Sequence, residues 1–148
     1  MEAHMETLIL LADGGRAKGF AEHRRHGPLK ALSEWTIDAP ESDRRGHGKP
    51  GGTAPQPGSG RSNVYEASPA DAAETRFLTR LATDLERAAT AGQFKHLVMI
   101  APPRALGVLR AALGPQASRR LETSEPHDRL SETAEEIRAR LRDIRIPA

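Results

Sequence analysis

Cysteine is absent from this 148-residue sequence, and its aromatic residues are three Phe, one Trp and one Tyr. The missing thiols exclude disulfide bonds and thiolate metal sites. The apolar run Leu8–Ala12 is too short for the core of a signal peptide or for a membrane span. We therefore expect a cytoplasmic protein that does not insert into a membrane. The net charge of +2 is too small to indicate a nucleic-acid binder by itself.

Large apolar residues are also missing from Pro40–Asn63, which consists mainly of Gly, Pro, Ser and basic residues. Such a segment cannot bury enough surface to offset the entropy lost on ordering. We expect a long flexible loop at about 40–63 within a single domain spanning residues 1–148. Between residues 44 and 65 there is no acid, and the basic residues are Arg44, Arg45, His47, Lys49 and Arg61. These cations suit the backbone of a nucleic acid, although a solvated insertion has the same composition.

Two continuous apolar runs, Thr7–Ala12 and Leu97–Ala101, predict strands that are covered on both faces. We expect them to lie side by side and parallel in the middle of a sheet. Pro102-Pro103 ends the second strand, because proline cannot donate to a ladder, and opens a helix. Gly114-Pro115 ends that helix.

The remaining pattern predicts the other elements of an α/β fold. They are a meander of Arg16–His23 and Leu29–Asp38, a helix from Ser68 to about Gly92, a strand Arg120–Glu125 and a helix Leu130–Ile144. In the second meander strand, residues 31, 33, 35 and 37 alternate with residues 32, 34, 36 and 38, which predicts a strand with one better-covered face. The result is a mixed five-stranded sheet in the order βββαβαβα, similar to the ribonuclease H-like architecture, with a long flexible loop after the third strand.

In such sheets, ligands bind beyond the carboxyl ends of the strands where the winding direction changes. The residues expected at this edge are Asp13, Gly14, Gly15, Arg16, Arg104, His127 and Asp128. We interpret this edge as a candidate site for an anion or another small ligand.

Two of these residues allow alternative interpretations. Asp13 follows a central strand, where a nuclease would place a metal-binding carboxylate, but the end of the Leu97 strand offers no second acid. The alternative is that Asp13 caps its own turn. Arg104 either helps a helix N-terminus to bind an anion or forms a salt bridge with Asp13 or Asp128. The histidines lack metal-ligand spacing, so we expect neither a metal nor a cofactor.

Several motifs resemble those of the bacterial host-attachment protein family. They are Ala12-Asp-Gly-Gly-Arg-Ala17, the block Ala101-Pro-Pro-Arg-Ala-Leu-Gly107 and Glu125-Pro-His-Asp128 before a helix. That family is similar to the middle domain of eukaryotic and archaeal class-I release factors. The resemblance therefore implies a release-factor-like fold and a partner in translation, either the ribosome or tRNA.

The release-factor domain carries a Gly-Gly-Gln tripeptide for peptidyl-tRNA hydrolysis in a basic loop between its third strand and first long helix. This chain has Gly51-Gly52-Thr53 in the corresponding loop, and Gln56 lies three residues beyond. The resemblance thus favours a non-catalytic module that binds RNA or the translation machinery. One alternative is a degenerate hydrolase of peptidyl-tRNA or a phosphoanion, with Asp13 and Gln56 as candidate catalytic residues. The other is a protein-interaction factor in attachment to host cells. The oligomeric state cannot be read from the sequence.

Overall fold

The computed structural model describes residues 5–39 and 68–145. In chain order its elements are β1 Met5–Ala12, β2 Arg16–Glu22, β3 Leu29–Asp38, α1 Pro69–Thr90, β4 Phe94–Ala101, α2 Pro103–Ala112, α3 Pro115–Arg120, β5 Leu121–Pro126 and α4 Ala134–Ile144. The five strands form one sheet in the order β3-β2-β1-β4-β5. The β1–β4 and β4–β5 pairs are parallel, and the other two pairs are antiparallel. The predicted mixed five-stranded α/β sheet is confirmed.

The centre of the sheet is formed by β1 and β4. Leu8 pairs with Leu97 and Ile9 with Val98 in parallel register, and all four side chains are fully buried. Continuous apolar runs occur here because both faces of these strands are covered. The predicted adjacency of the two strands is confirmed.

Helices cover the two faces of the sheet unequally. On one face, Leu8, Leu10, Leu97 and Met99 pack in one cluster with side chains of α1, α2 and α3. On the other face, Ile9, Leu11, Val98 and Ile100 pack with Ile137 and Leu141 of α4 and with Leu130 just before it. Of the helices in residues 5–39 and 68–145, only α4 packs on the second face.

The middle of β3 departs from the predicted alternation. The pairing of β2 with β3 shifts between Ala17 and Gly19, so that Ala17 pairs with Ile37 and Gly19 with Leu32. This bulge breaks the two-residue period. Trp35 is buried and Ile37 packs against the same cluster, whereas residues 31 and 33 are exposed. The regular alternation predicted along this strand is therefore interrupted at the bulge.

Two helix boundaries also differ from the sequence interpretation. The last helix begins at Ala134, not at Leu130, because Thr133 and Glu136 form a capping box. Pro115, which was expected to follow the end of a helix, instead opens the six-residue helix α3. Proline after a helix is therefore ambiguous in a sequence, because it can follow the end of one helix and is also favoured at the first position of the next.

Candidate functional site

A cleft of about 490 Å³ lies at the carboxyl ends of β1 and β4. The turn after β1 contributes Asp13, Gly14, Gly15 and Arg16, and the start of α2 contributes Arg104. These five residues were expected at one edge, and the parallel pairing of β1 with β4 brings them together. The remaining lining residues are Glu74 of α1, Pro102 and Ala105.

Asp13 organises the turn that forms one wall of this cleft. Its Oδ1 accepts hydrogen bonds from the backbone N–H groups of Gly15 and Arg16, each at 2.8 Å. Its Oδ2 lies 3.4 Å from Nη2 of Arg16. The interpretation that Asp13 caps its own turn is therefore confirmed, and both of its oxygens have partners within the turn.

Arg104 lies on the opposite wall of the cleft, and its guanidinium group pairs with two carboxylates of α1. Its Nη2 lies 3.4 Å from Oδ1 of Asp71, and its Nε lies 3.7 Å from Oε1 of Glu74. The expected salt bridge to Asp13 or Asp128 is wrong, because the first two turns of α1 run past the cleft and supply nearer carboxylates. Exposed pairs of this kind contribute little to stability.

His127 and Asp128 do not line the cleft. They follow β5, which pairs with β4 on the side away from β1. Both side chains are exposed, and Oδ1 of Asp128 accepts from the N–H of Leu130 at 3.3 Å. The structure thus separates these two residues from the five that it brings together.

The candidate residues Arg44, Arg45, His47, Lys49, Gln56 and Arg61 lie outside the described residues. The described residues that flank this segment lie beside the cleft. The N–H of Ala39 donates to the carbonyl of Gly15 at 2.8 Å. Ser68 caps α1 by accepting from the N–H of Asp71, the residue that pairs with Arg104. Ala39 and Ser68, the last and first described residues on either side of segment 40–67, are therefore both close to the cleft.

A second basic region was missed by the sequence interpretation. From Arg87 to Leu121 there is no acid, and the region contains six Lys and Arg residues. Three of them, Lys95, Arg119 and Arg120, line a pocket at the amino end of β4, whereas the cleft lies at its carboxyl end. The absence of acids over 35 consecutive residues was the signal that could have revealed this surface. Within residues 5–39 and 68–145, no group of three or more His, Asp or Glu side chains could hold a metal ion.

The fold and the cleft together define an α/β protein with a mixed sheet and a cleft at the carboxyl ends of its two central strands. The sequence profile of the family described as "Protein required for attachment to host cells" matches residues 8–141. The chain belongs to this family, which confirms the resemblance inferred from its motifs. No curated protein matches the sequence significantly.

One solved structure with a similar fold is that of an archaeal translation termination factor. The TM-score is 0.48 at 11% sequence identity, and the match covers 90% of this chain but 36% of the termination factor. Among the described residues, no helix is both long and apolar enough to cross a membrane.

Proposed function

We propose that this host-attachment-family protein is a non-catalytic module that binds RNA, presented by the ribosome or by tRNA, through its basic segment Arg44–Arg61. The observation that carries the proposal is the acid-free run of residues 44–65, which is inserted where Ala39 and Ser68 flank the cleft. Counterion release from phosphates favours such a run of cations irrespective of base sequence. In this proposal the protein acts in the cytoplasm, and its role in attachment is indirect.

The cleft provides a secondary contact in this proposal. Arg16 and Arg104 are more than half exposed, at 63% and 55% of their side chains. Each is already near a carboxylate, so a phosphate would have to compete with Asp13, Asp71 and Glu74. We therefore assign the larger part of the affinity to the basic segment.

No observation among the described residues favours the hydrolase alternative. Of its two candidate residues, only Asp13 is described, and its carboxylate holds the turn. An Asp13→Ala variant would lose activity through misfolding of that turn as readily as through lost chemistry.

The test is the salt dependence of binding to purified ribosomes and to tRNA. Replacing Arg44, Arg45, Lys49 and Arg61 with Ala should reduce the slope of log affinity against log salt by roughly 3, because each lost single-strand phosphate contact contributes about 0.7. A charge-matched control replaces Arg24, Lys30, Arg80 and Arg142, four exposed cations of the described surface. Equal losses in the two quadruple variants, or binding that does not respond to salt, would refute the proposal.

A further inference from the structure

The pocket at the amino end of β4 has a volume of about 390 Å³ and carries three positive charges. Its lining residues are Gly92, Phe94, Lys95, Gln116, Arg119 and Arg120, none of which is acidic. Its neighbour Glu6 lies 3.8 Å from Nζ of Lys95 and 3.4 Å from Nε2 of His96. Glu6 therefore lies near one of the three cations of the pocket, Lys95.

The position of the two arginines is fixed by Glu86 of α1. Its carboxylate accepts from the N–H of Gln116 at 3.1 Å and from the N–H of Ala117 at 2.9 Å, which caps α3. Gly114 makes room for this contact, because a Cβ at that position would lie 2.5 Å from Cδ of Glu86. Ala117 of α3 is fully buried. These contacts fix α3 against α1, and the last turn of α3 places Arg119 and Arg120 in the lining of the pocket.

A neutral side chain, not a carboxylate, holds the two guanidinium groups. Oε1 of Gln116 accepts from Nη1 of Arg119 at 3.3 Å and from Nη1 of Arg120 at 3.0 Å. Nη1 of Arg120 also donates to the carbonyl of Gln116 at 3.0 Å. Among the described residues neither guanidinium has an acidic partner. Two like charges that share one amide oxygen remain uncompensated until an anion binds.

We propose that this pocket binds a phosphate group, and that the phosphate belongs to the backbone of the same RNA that contacts the basic segment. The RNA part of this inference rests on the proposed function. Guanidinium groups donate to phosphate oxygens in pairs, and two guanidiniums with one ammonium match the charge of a phosphodiester better than that of a neutral ligand. Phe94 is buried, so the pocket offers no exposed ring for base stacking, and its contact does not depend on base sequence.

The two contacts lie at opposite ends of α1. The cleft is lined by Glu74 near the start of this helix, and the pocket by Gly92 just after its end. A helix of 22 residues is about 33 Å long. An RNA that contacts both the cleft and the pocket must therefore span most of the length of α1.

The experiment measures the affinity of the full chain for a fluorescent single-stranded RNA at several salt concentrations. The double variant Arg119→Gln/Arg120→Gln retains polar side chains but removes two charges. We expect about a tenfold loss of affinity at low salt and a reduction of the salt slope by roughly 1.4. The matched control, Arg24→Gln/Lys30→Gln, also removes two exposed cations and should retain most of the affinity.

The outcomes separate this inference from the proposed function. If the Arg44/Arg45/Lys49/Arg61 variant loses affinity while the Arg119/Arg120 variant equals its control, the pocket inference is overturned and the proposed function stands. If the wild-type chain binds no RNA, the proposed function fails, and a titration with inorganic pyrophosphate decides the phosphate site. Chemical shifts of the Arg119 and Arg120 side chains that respond to pyrophosphate, but not to chloride, would support a site for a free phosphate. The absence of any response would overturn the site itself.

Discussion

At the scale of single residues, Gly19 of β2 allows a close approach to Trp35 of β3. A Cβ at Gly19 would lie 2.4 Å from Cβ of Trp35, a distance at which the backbone of β3 would have to shift. We expect Gly19→Ala to destabilise the protein by about 1–3 kcal/mol, as overpacking of a filled core does. The change is measured as the free energy of unfolding in urea.

The control for this prediction is Gly15→Ala, in the turn after β1. A Cβ at Gly15 would have no heavy atom within 4 Å. Its effect should stay within about 0.5 kcal/mol, the usual range for surface substitutions. Equal destabilisation by the two variants would show that lost backbone freedom, and not the contact with Trp35, makes Gly19 necessary.

At the scale of elements, α4 depends on its N-terminal capping box. The side chain of Thr133 accepts from the N–H of Glu136 at 3.1 Å, and Oε1 of Glu136 accepts from the N–H of Thr133 at 2.8 Å. Replacing Thr133 with Ala should cost about 1 kcal/mol, because the first turn of the helix loses the acceptor for a free N–H. Thermal unfolding followed by circular dichroism measures the loss. Ser131→Ala, at an exposed position two residues earlier, is the control and should have little effect.

The sequence predicts the elements better than their ends. Apolar spacing placed Leu130 in the last helix, and Leu130 is indeed buried, but it precedes the cap. The pattern Thr133-x-x-Glu136 is present in the sequence and could have located the start of the helix. The helix α3 is different, because its cap comes from Glu86, about 30 positions earlier. No local pattern can reveal a partner that the tertiary fold provides.

The contacts around the candidate cleft could likewise be predicted only in part from the sequence. The adjacency of β1 and β4 follows from their two continuous apolar runs, so the meeting of the Asp13 turn with Arg104 could be expected. The ion pairs of Arg104 with Asp71 and Glu74 could not, because they depend on how α1 crosses the edge of the sheet. The exclusion of His127 and Asp128 follows from the position of β5, on the far side of β4 from β1.

At the scale of the whole molecule, a buried ionic network joins β2, β5 and the end of α4. Nη1 and Nη2 of Arg145 donate to the two carboxylate oxygens of Glu22 at 2.9 and 2.7 Å. Nε of Arg145 lies 3.1 Å from Oε2 of Glu122, which also pairs with Arg25 at 2.6 Å. The side chains of Glu22 and Arg145 are 1% and 5% exposed. The network therefore fixes the last helix to the sheet.

This network predicts a loss of stability in acid. Burial alone would raise the pKa of Glu22, but the hydrogen bonds from Arg145 and from the N–H of His26 outweigh it and lower that pKa below its ordinary value. For Glu122, the pKa is likewise lowered, because Arg25 and Arg145 outweigh burial. A carboxyl group whose pKa is lower in the folded than in the unfolded state stabilises the fold at pH values above its pKa in the unfolded state, about 4.3. This contribution is lost as the pH falls through the pKa of the folded state.

We expect Glu22→Gln to lower the free energy of unfolding at pH 7 by on the order of 3 kcal/mol, because it leaves Arg145 buried without its charge partner. The difference from the wild type should shrink as the pH falls below the ordinary carboxyl pKa of about 4.3 and the Glu22 carboxylate of the wild type takes up a proton. Urea unfolding at several pH values measures both effects. Glu34→Gln, at an exposed position, is the control, and a constant difference at every pH would contradict the assignment to Glu22.

The unequal covering of the two faces of the sheet determines where local unfolding begins. Three of the described helices cover one face of the sheet, and the longest of them, α1, buries eight side chains, so its amide protons should exchange slowly. Among the described residues, the other face is covered by the 11-residue helix α4, which buries only Ile137 and Leu141. Local opening begins where the fewest contacts must break. Deuterium should therefore enter α4 well before α1, and Glu22→Gln should widen that gap.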